Sequence, residues 1–271
     1  MKTEITSFDN LEELYALIAK PFETNKGFSE RIRSNEFAQG GNKKWFGVDG
    51  GIDEVETILK KGWSAGVNRM QECFADLKIN AVQPISIKRR KIRTDSGDDY
   101  DWQAGAQGQH DTAWTRSSCR KVKSPRTVTL FCDLASATSW RTESDAFYWR
   151  GAATLFLADH LQSSGFNVKI IAGSRCKLAT ATSNHRQTNV TVKDSNMPLD
   201  LNSLATVLCL AGFYRTQILS ASCAIEPTRI SGNHGHSREV ELESGQFLIA
   251  ANTEESARAI IASTLALIQG E

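Results

Sequence analysis

The sequence predicts an α/β protein with a doubly wound, mostly parallel sheet and a smaller, mainly helical N-terminal region. Two apolar runs of strand length, VTLFCDLA at 128–135 and FNVKIIAG at 166–173, flank a helical pattern at 142–165. A strand, a helix of roughly 20 residues and a second strand form a βαβ unit, in which the strands are parallel and the crossover is right-handed. The 271 residues, 40% of them hydrophobic, suffice for such a core.

The first 120 residues contain helical patterns. We expect the start of the chain, residues 1–21, to form an amphipathic helix rather than a signal peptide, because acidic residues interrupt its apolar positions. Asp9 or Asn10 is the candidate N-cap. Residues 49–63 and 64–77 show two further amphipathic patterns that meet at a glycine and a tryptophan, as expected of an αα-hairpin.

The segment between these helices and the βαβ unit is less regular. PISIKRRKIR, residues 84–93, alternates enough to predict a strand with one basic face. Residues 94–111 are rich in Gly and Asp and predict a loop, in which the region between Asp95 and Gln109 is expected to be exposed and sensitive to proteases. We therefore divide the chain into an N-terminal region, 1–120, and an α/β domain with a complete core, 121–271.

The rest of the predicted domain alternates strands and helices. TNVTVKDS at 188–195 has the pattern of an edge strand, and Asp200 is placed to cap the helix that follows. RTQILSASCAI at 215–225 and GQFLIAAN at 245–252 predict two more apolar strands. Residues 253–270 predict a final helix.

This order of elements, over about residues 125–271, resembles a von Willebrand factor A-like domain, a Rossmann-like architecture. The whole chain resembles an uncharacterised family of phage and mobile-element genomes. The shared landmarks are SFDNLEEL, the Gly62-Trp63 pair with Gly66, and WRGAATL at 149–155. The second resemblance implies no known reaction. It implies action in the cytoplasm of the host if the chain is phage-encoded.

Asp133 ends the first predicted strand, where metal-binding A-like domains carry Asp-x-Ser-x-Ser. Hydroxyl and carboxylate oxygens there suit Mg²⁺. Here Ala135 and Ala137 occupy the two serine positions. We therefore predict that Asp133 is structural and that no metal is bound, with a metal-dependent hydrolase centred on Asp133 as an alternative.

Ligands of open parallel sheets bind beyond the carboxyl ends of the strands. The residues expected at this binding rim are Asp133, Ser136, Thr138, Ser139, Ser174, Arg175 and Ser222. The sequence contains no nucleophile elbow, P-loop or dinucleotide-binding loop, so we name no catalytic residue and no cofactor. The leading hypothesis is a protein-interaction or assembly factor with a protein partner.

Nucleic-acid binding through two basic segments, 88–93 and 116–126, is the alternative. Its candidate residues are Lys88, Arg89, Arg90, Lys91, Arg93, Arg120, Lys121 and Lys123. Such residues bind phosphate irrespective of base sequence, and Trp102 and Trp114 could stack on bases. Against this, the net charge is only +1 and no known nucleic-acid module is present.

The remaining candidates have structural interpretations. His234 and His236, with Glu239 and Glu241, could contribute to a metal site, but two histidines fall short of the usual three protein ligands and a solvated loop is favoured. The six cysteines lack a C-x-x-C pair and are interpreted as buried hydrophobes in a reducing cytoplasm. No apolar run has the length of a membrane span.

Overall fold

The computed structural model describes residues 2–18, 45–77, 89–119, 126–134, 145–177, 184–225 and 240–270, which form a mixed α/β fold. Its strands are β1 (Lys2–Phe8), β2 (Arg89–Thr94), β3 (Asp99–Tyr100), β4 (Trp114–Cys119), β5 (Thr127–Asp133), β6 (Asn167–Lys177), β7 (Asn184–Lys193) and β8 (Gln246–Ile249). Its helices are α1 (Leu11–Ile18), α2 (Gly51–Lys61), α3 (Ser64–Phe74), α4 (Trp102–Ala106), α5 (Asp145–Ser163), α6 (Leu201–Cys209), α7 (Ala211–Phe213), α8 (Leu219–Ile225) and α9 (Glu254–Gly270).

Five of these strands form one mostly parallel sheet in the order β1-β7-β6-β5-β8. β5 is parallel to both β6 and β8, and β1 is parallel to β7, whereas β6 and β7 are antiparallel. The predicted βαβ unit, β5-α5-β6, is confirmed. The carboxyl ends of β5, β6 and β8 therefore share one edge of the sheet.

The N-terminal strand was missed by the sequence prediction. Residues 1–21 were expected to form a helix, but of the described residues 2–18 only those of α1 are helical, and residues 2–8 pair with β7. β7 consequently lies between β1 and β6 instead of at the edge. Asn10 caps α1 by accepting a hydrogen bond from the backbone N–H of Glu13 (2.9 Å), so the helix starts only after the strand has ended.

The strand predicted at 215–225 is also wrong. Residues Tyr214–Ile218 form a π-helical turn, which continues directly into α8. The Thr216 hydroxyl donates to the carbonyl of Gly212 (2.7 Å), a bond one helical turn back along the chain. A short apolar run that is buried on several sides gives no periodicity that separates strand from helix.

One hydrophobic core joins residues from both halves of the chain. The cluster contains Leu14, Trp45, Phe46, Val48, Val55, Ile58, Val67, Met70 and Phe74 together with residues of β5, α5, β6, α6 and α9. α5 is its centre, since most of its side chains are buried. The boundary between residues 120 and 121 stays a prediction, but residues from both sides of it belong to this one cluster.

Two of the landmark motifs have packing roles. An added Cβ at Gly151 would lie 2.3 Å from the carbonyl oxygen of Leu208, so α5 and α6 approach closely at this glycine. Gly66 lies against the ring of Trp63, and its carbonyl accepts a hydrogen bond from the Tyr148 hydroxyl (3.2 Å). Both motifs thus bring helices of the core together.

A second sheet has the order β2-β4-β3. Of the strand predicted at 84–93, residues 89–93 lie in β2, and residues 84–88 lie outside the described residues. The segment 94–111, expected to be a loop, instead contains β3, α4 and a 3₁₀ turn at His110–Thr112. The side chain of Asp101 explains the helix, because it accepts hydrogen bonds from the backbone N–H groups of Gln103 (3.1 Å) and Ala104 (3.2 Å).

None of the described helices is by itself long and apolar enough to cross a membrane. The pair Leu201–Cys209 and Ala211–Ala221, bent by 63°, passes that test by length and composition alone.

Candidate functional site

Asp133 lies at the carboxyl end of β5, in register with Gly173 of β6. Its carboxylate forms an ion pair with Arg150 of α5, with 3.2 Å between Asp133 Oδ2 and Arg150 Nη1. The same nitrogen donates to the backbone carbonyl of Asp133 (2.9 Å). The side chains of Arg150 and Asp133 are only 3% and 9% exposed, so the pair is shielded from water.

Arg150 also holds the end of β8. Its Nε donates to the carbonyl of Ala251 (3.0 Å), and its second terminal nitrogen donates to Asn252 Oδ1. Thr154, one turn along α5, donates its hydroxyl proton to the Arg150 carbonyl (2.9 Å). One guanidinium therefore fixes the carboxyl ends of two strands, and the Asp133 carboxylate serves as its counter-ion.

The thiol next to this pair is not an activated nucleophile. Cys132 is fully buried, and burial raises its pKa to about 12, with a smaller lowering from the hydrogen bond to Thr154. A thiol with this pKa stays protonated at neutral pH, and the thiolate is the reactive form. The described end of β5 thus offers a closed ion pair and an inert thiol.

The structure describes some of the other predicted rim residues and not the rest. Ser174 is buried on β6, directly after the partner of Asp133, and Arg175 follows it. Ser136, Thr138 and Ser139 lie outside the described residues. Ser222 lies on α8, since the strand expected there is helical. Ser174 and Arg175 therefore lie one and two residues beyond Gly173, the residue of β6 that pairs with Asp133.

A polar network near Arg175 was not predicted. Arg175 forms an ion pair with Glu241 (3.0 Å) and donates to the Thr3 hydroxyl (2.6 Å), which in turn donates to Glu241. The Gln187 amide group bonds the backbone of Glu241 twice, accepting from its N–H (2.7 Å) and donating to its carbonyl (2.9 Å). The segment around Glu241 is thereby fastened to β1, β6 and β7.

The described parts of the two basic segments, residues 89–93 and 116–119, are neighbours in the smaller sheet, and Arg116 is the basic residue of the second part. β2 and β4 are antiparallel, with Arg89 opposite Cys119 and Ile92 opposite Arg116. Arg93 forms an exposed ion pair with Asp101 (3.2 Å). Lys88, Arg120, Lys121 and Lys123 lie outside the described residues, and so do His234, His236 and Glu239.

Among the described residues, no group of three or more His, Cys, Asp or Glu side chains could hold a metal ion. Cys132 and Cys209 are buried and Cys73 is half-buried, and all three are free thiols.

A family model described as a domain of unknown function (DUF7192) matches residues 2–264. Comparisons with curated proteins and with solved structures found no match. The matched residues include β1, the whole five-stranded sheet, the Asp133–Arg150 pair and most of α9. The chain therefore belongs to the DUF7192 family.

Proposed function

We propose that this chain is a non-enzymatic protein-interaction or assembly factor, acting through an A-like domain that needs no metal. The observation that carries the metal-independent part of the proposal is the buried Asp133–Arg150 pair. Metal-binding A-like domains, which residues 125–271 resemble, hold their cation at the end of the strand that corresponds to β5, where this chain has Asp133. Here a guanidinium supplies positive charge to that carboxylate.

The succession of elements supports the A-like part of this proposal. The order β5, α5, β6, β7, α6, β8 and α9 matches the order on which the resemblance rests, with the correction that residues 215–225 are helical. The resemblance of the whole chain to a phage and mobile-element family adds that such a factor would act in the cytoplasm of a host cell.

Exposed apolar side chains beside the polar network offer a surface for a partner. Ile5 is 50% exposed and lies in register with Gln187, whose amide holds the backbone of Glu241. The next residue, Leu242, is 39% exposed. Apolar residues surrounded by fixed polar groups resemble the composition of protein interfaces, which combine an apolar centre with a polar rim.

Affinity capture from native lysate tests this surface. We expect Leu242→Glu to abolish co-purification of a partner protein that the wild type retains after nuclease treatment. Met197→Glu is the matched control, because Met197 is also an exposed apolar residue, at 57%, and lies in the turn after β7. Equal capture by the wild type and Leu242→Glu would reject this surface.

The pairing of β2 with β4 supports nucleic-acid binding as a second candidate function, since it sets the basic strand β2 beside Arg116, at the start of the second basic segment. Replacing Arg89, Arg90 and Lys91 by Ala should then weaken binding of labelled single-stranded DNA and reduce the slope of its salt dependence. No measurable DNA binding by the wild type at low salt would eliminate this candidate.

A further inference from the structure

Trp102 is the most exposed large hydrophobic side chain in the described part of the chain, at 81%. The tryptophans of the main core behave differently, since Trp45 and Trp149 are 9% and 8% exposed. Trp102 begins α4, beside the smaller sheet. Tryptophan is enriched among the residues that contribute most of the binding energy of protein interfaces.

The indole of Trp102 packs against the ring of Tyr100. Tyr100 lies edge-on to Trp102 and to Trp114, with ring centroids 4.8 Å apart in both pairs. The Tyr100 ring is itself confined, because an added Cβ at Gly105 would lie 2.2 Å from its hydroxyl oxygen. That hydroxyl also hydrogen-bonds His110 Nδ1 (3.3 Å). Trp102 therefore packs against a Tyr100 ring that is itself fixed by Trp114, Gly105 and His110.

The surroundings of Trp102 are acidic. Residues 93–116 contain five aspartates and two arginines, so the formal charge of this segment is −3, and one of the arginines, Arg93, forms an ion pair with Asp101 beside Trp102. Asp98, Asp99 and Asp111 are exposed. A cation would be attracted both by the exposed carboxylates and by the face of the indole.

We propose that Trp102 and the aspartates around it form a docking surface for a basic segment of a partner protein, with an arginine or lysine side chain lying over the indole. Arginine is the favoured residue, because its planar guanidinium stacks on aromatic rings while its N–H groups reach carboxylates. This surface is separate from the one proposed beside β1, and neither proposal depends on the other.

A fluorescein-labelled hexa-arginine peptide is the probe, titrated with the full-length chain at low salt and followed by fluorescence anisotropy. We expect Trp102→Ala to weaken binding about fivefold or more, and Trp102→Phe to weaken it less, as ring stacking in an exposed site predicts. Asp98→Asn combined with Asp111→Asn should also weaken binding and flatten its dependence on salt. Leu267→Ala removes another exposed apolar side chain, 59% exposed on α9, and should leave binding unchanged.

Because Trp102 is so exposed, Trp102→Ala should fold, and an unchanged circular dichroism spectrum and Tm verify this. Equal affinity of the wild type and Trp102→Ala for hexa-arginine overturns the proposal. The proposal is also overturned if hexa-arginine does not bind and a twenty-nucleotide oligo(dT) binds in a way that depends on Trp102. Leu242→Glu should bind the peptide normally. The test of the surface around Trp102 therefore gives a result that is independent of the test of the surface around Ile5 and Leu242.

Discussion

Asp133 and Arg150 are charged groups inside a mostly apolar environment, at the junction of β5, β8 and α5. Removing two charges from water is costly, and their attraction repays that cost only when the remaining hydrogen-bonding groups are also satisfied. Arg150 meets this condition through the carbonyls of Asp133 and Ala251 and the amide of Asn252. Loss of either partner would leave the other charge buried and uncompensated.

Arg150→Met should therefore destabilise the fold by about 3–5 kcal/mol, the range for breaking a buried ion pair. Asp133→Asn should be destabilising as well, and the double variant should lose less than the sum of the two because the pair acts as a unit. The free energy of unfolding in urea measures each effect.

The exposed pair of Arg69 with Asp145 (3.1 Å) is the control. These side chains are 43% and 51% exposed, so Asp145→Asn should cost about 1 kcal/mol or less. Equal losses of unfolding free energy for Asp145→Asn and Arg150→Met would show that burial of the Asp133–Arg150 pair does not matter.

At the scale of elements, the sequence patterns predicted those strands and helices whose formation depends mainly on residues close together in the chain. The βαβ unit was recognisable because its strands are continuously apolar and its helix is long, and α6 was recognisable because Asp200 stands directly before its apolar pattern. β1 was missed because residues 2–8 are stabilised by pairing with β7, some 180 residues later in the sequence. The π-helical turn was missed because its apolar side chains show no single face.

The candidate site was predictable to a similar extent. Asp133 could be placed at a strand end from the apolar run before it, but its partner could not be identified. Arg150 lies within an apolar helix, and only the packing of α5 on the sheet brings it to β5 and β8. The contact of Gln187 with Glu241 joins residues 54 positions apart and has no local signature.

The cap of α6 should make part of the stability depend on pH. Asp200 accepts hydrogen bonds from the Ser203 hydroxyl (2.6 Å) and from the N–H groups of Ser203 (3.2 Å) and Asn202 (3.1 Å). The bonds with Ser203 are the largest cause of a pKa below the ordinary value of 3.8. Asp200→Ala should cost about 1 kcal/mol at pH 7, whereas Asp200→Asn, another good cap, should cost less.

The sign follows from linkage. A carboxyl whose pKa is lower in the folded state contributes its full stabilisation above the unfolded pKa and loses it as the pH falls through the folded pKa. The difference in unfolding free energy between the wild type and Asp200→Ala should therefore shrink below about pH 3.8. A difference that stays constant between pH 7 and pH 2.5 would contradict the role of the ionised carboxylate.

Gly151 sets a helix-propensity gain against a packing loss. Gly→Ala within a helix ordinarily stabilises by up to about 1 kcal/mol. At Gly151 the new methyl group would lie 2.3 Å from a backbone oxygen of α6, which no side-chain rotation can relieve. Gly151→Ala should therefore be destabilising, by about 1–3 kcal/mol in chemical denaturation.

Gly50→Ala is the matched control for this substitution. Its added Cβ would meet Glu54, at 2.8 Å from Oε2 and 2.9 Å from Cβ, and because Gly50 is exposed and precedes the first turn of α2, the chain there can shift more easily than two packed helices. We expect a much smaller change in unfolding free energy than at Gly151. A stabilising Gly151→Ala would show that α5 and α6 can separate at little cost.

At the scale of the whole molecule, the core does not follow the boundary at residues 120 and 121. Val67, Met70 and Phe74 of α3 belong to the same cluster as Leu155 and Leu208, and β1 completes the sheet next to β7. Burial of each large apolar side chain contributes about 1.5–3 kcal/mol, and whole domains are stable by only about 5–15 kcal/mol. Loss of a few such contacts is enough to unfold the remainder.

A fragment of residues 121–271 should therefore show no cooperative thermal transition under conditions in which the full chain melts in one step. Co-expression with residues 1–77, which supply β1 and the helices α1, α2 and α3, should restore a cooperative transition, because these elements provide the missing strand and the missing face of the core. The control is co-expression with residues 1–77 carrying Phe74→Asp, which places a charge at a position only 2% exposed and should fail to restore it. Differential scanning calorimetry of the fragment alone decides the matter: a single sharp transition near the Tm of the full chain would mean that residues 121–271 are an autonomous domain and that the N-terminal elements only cover it.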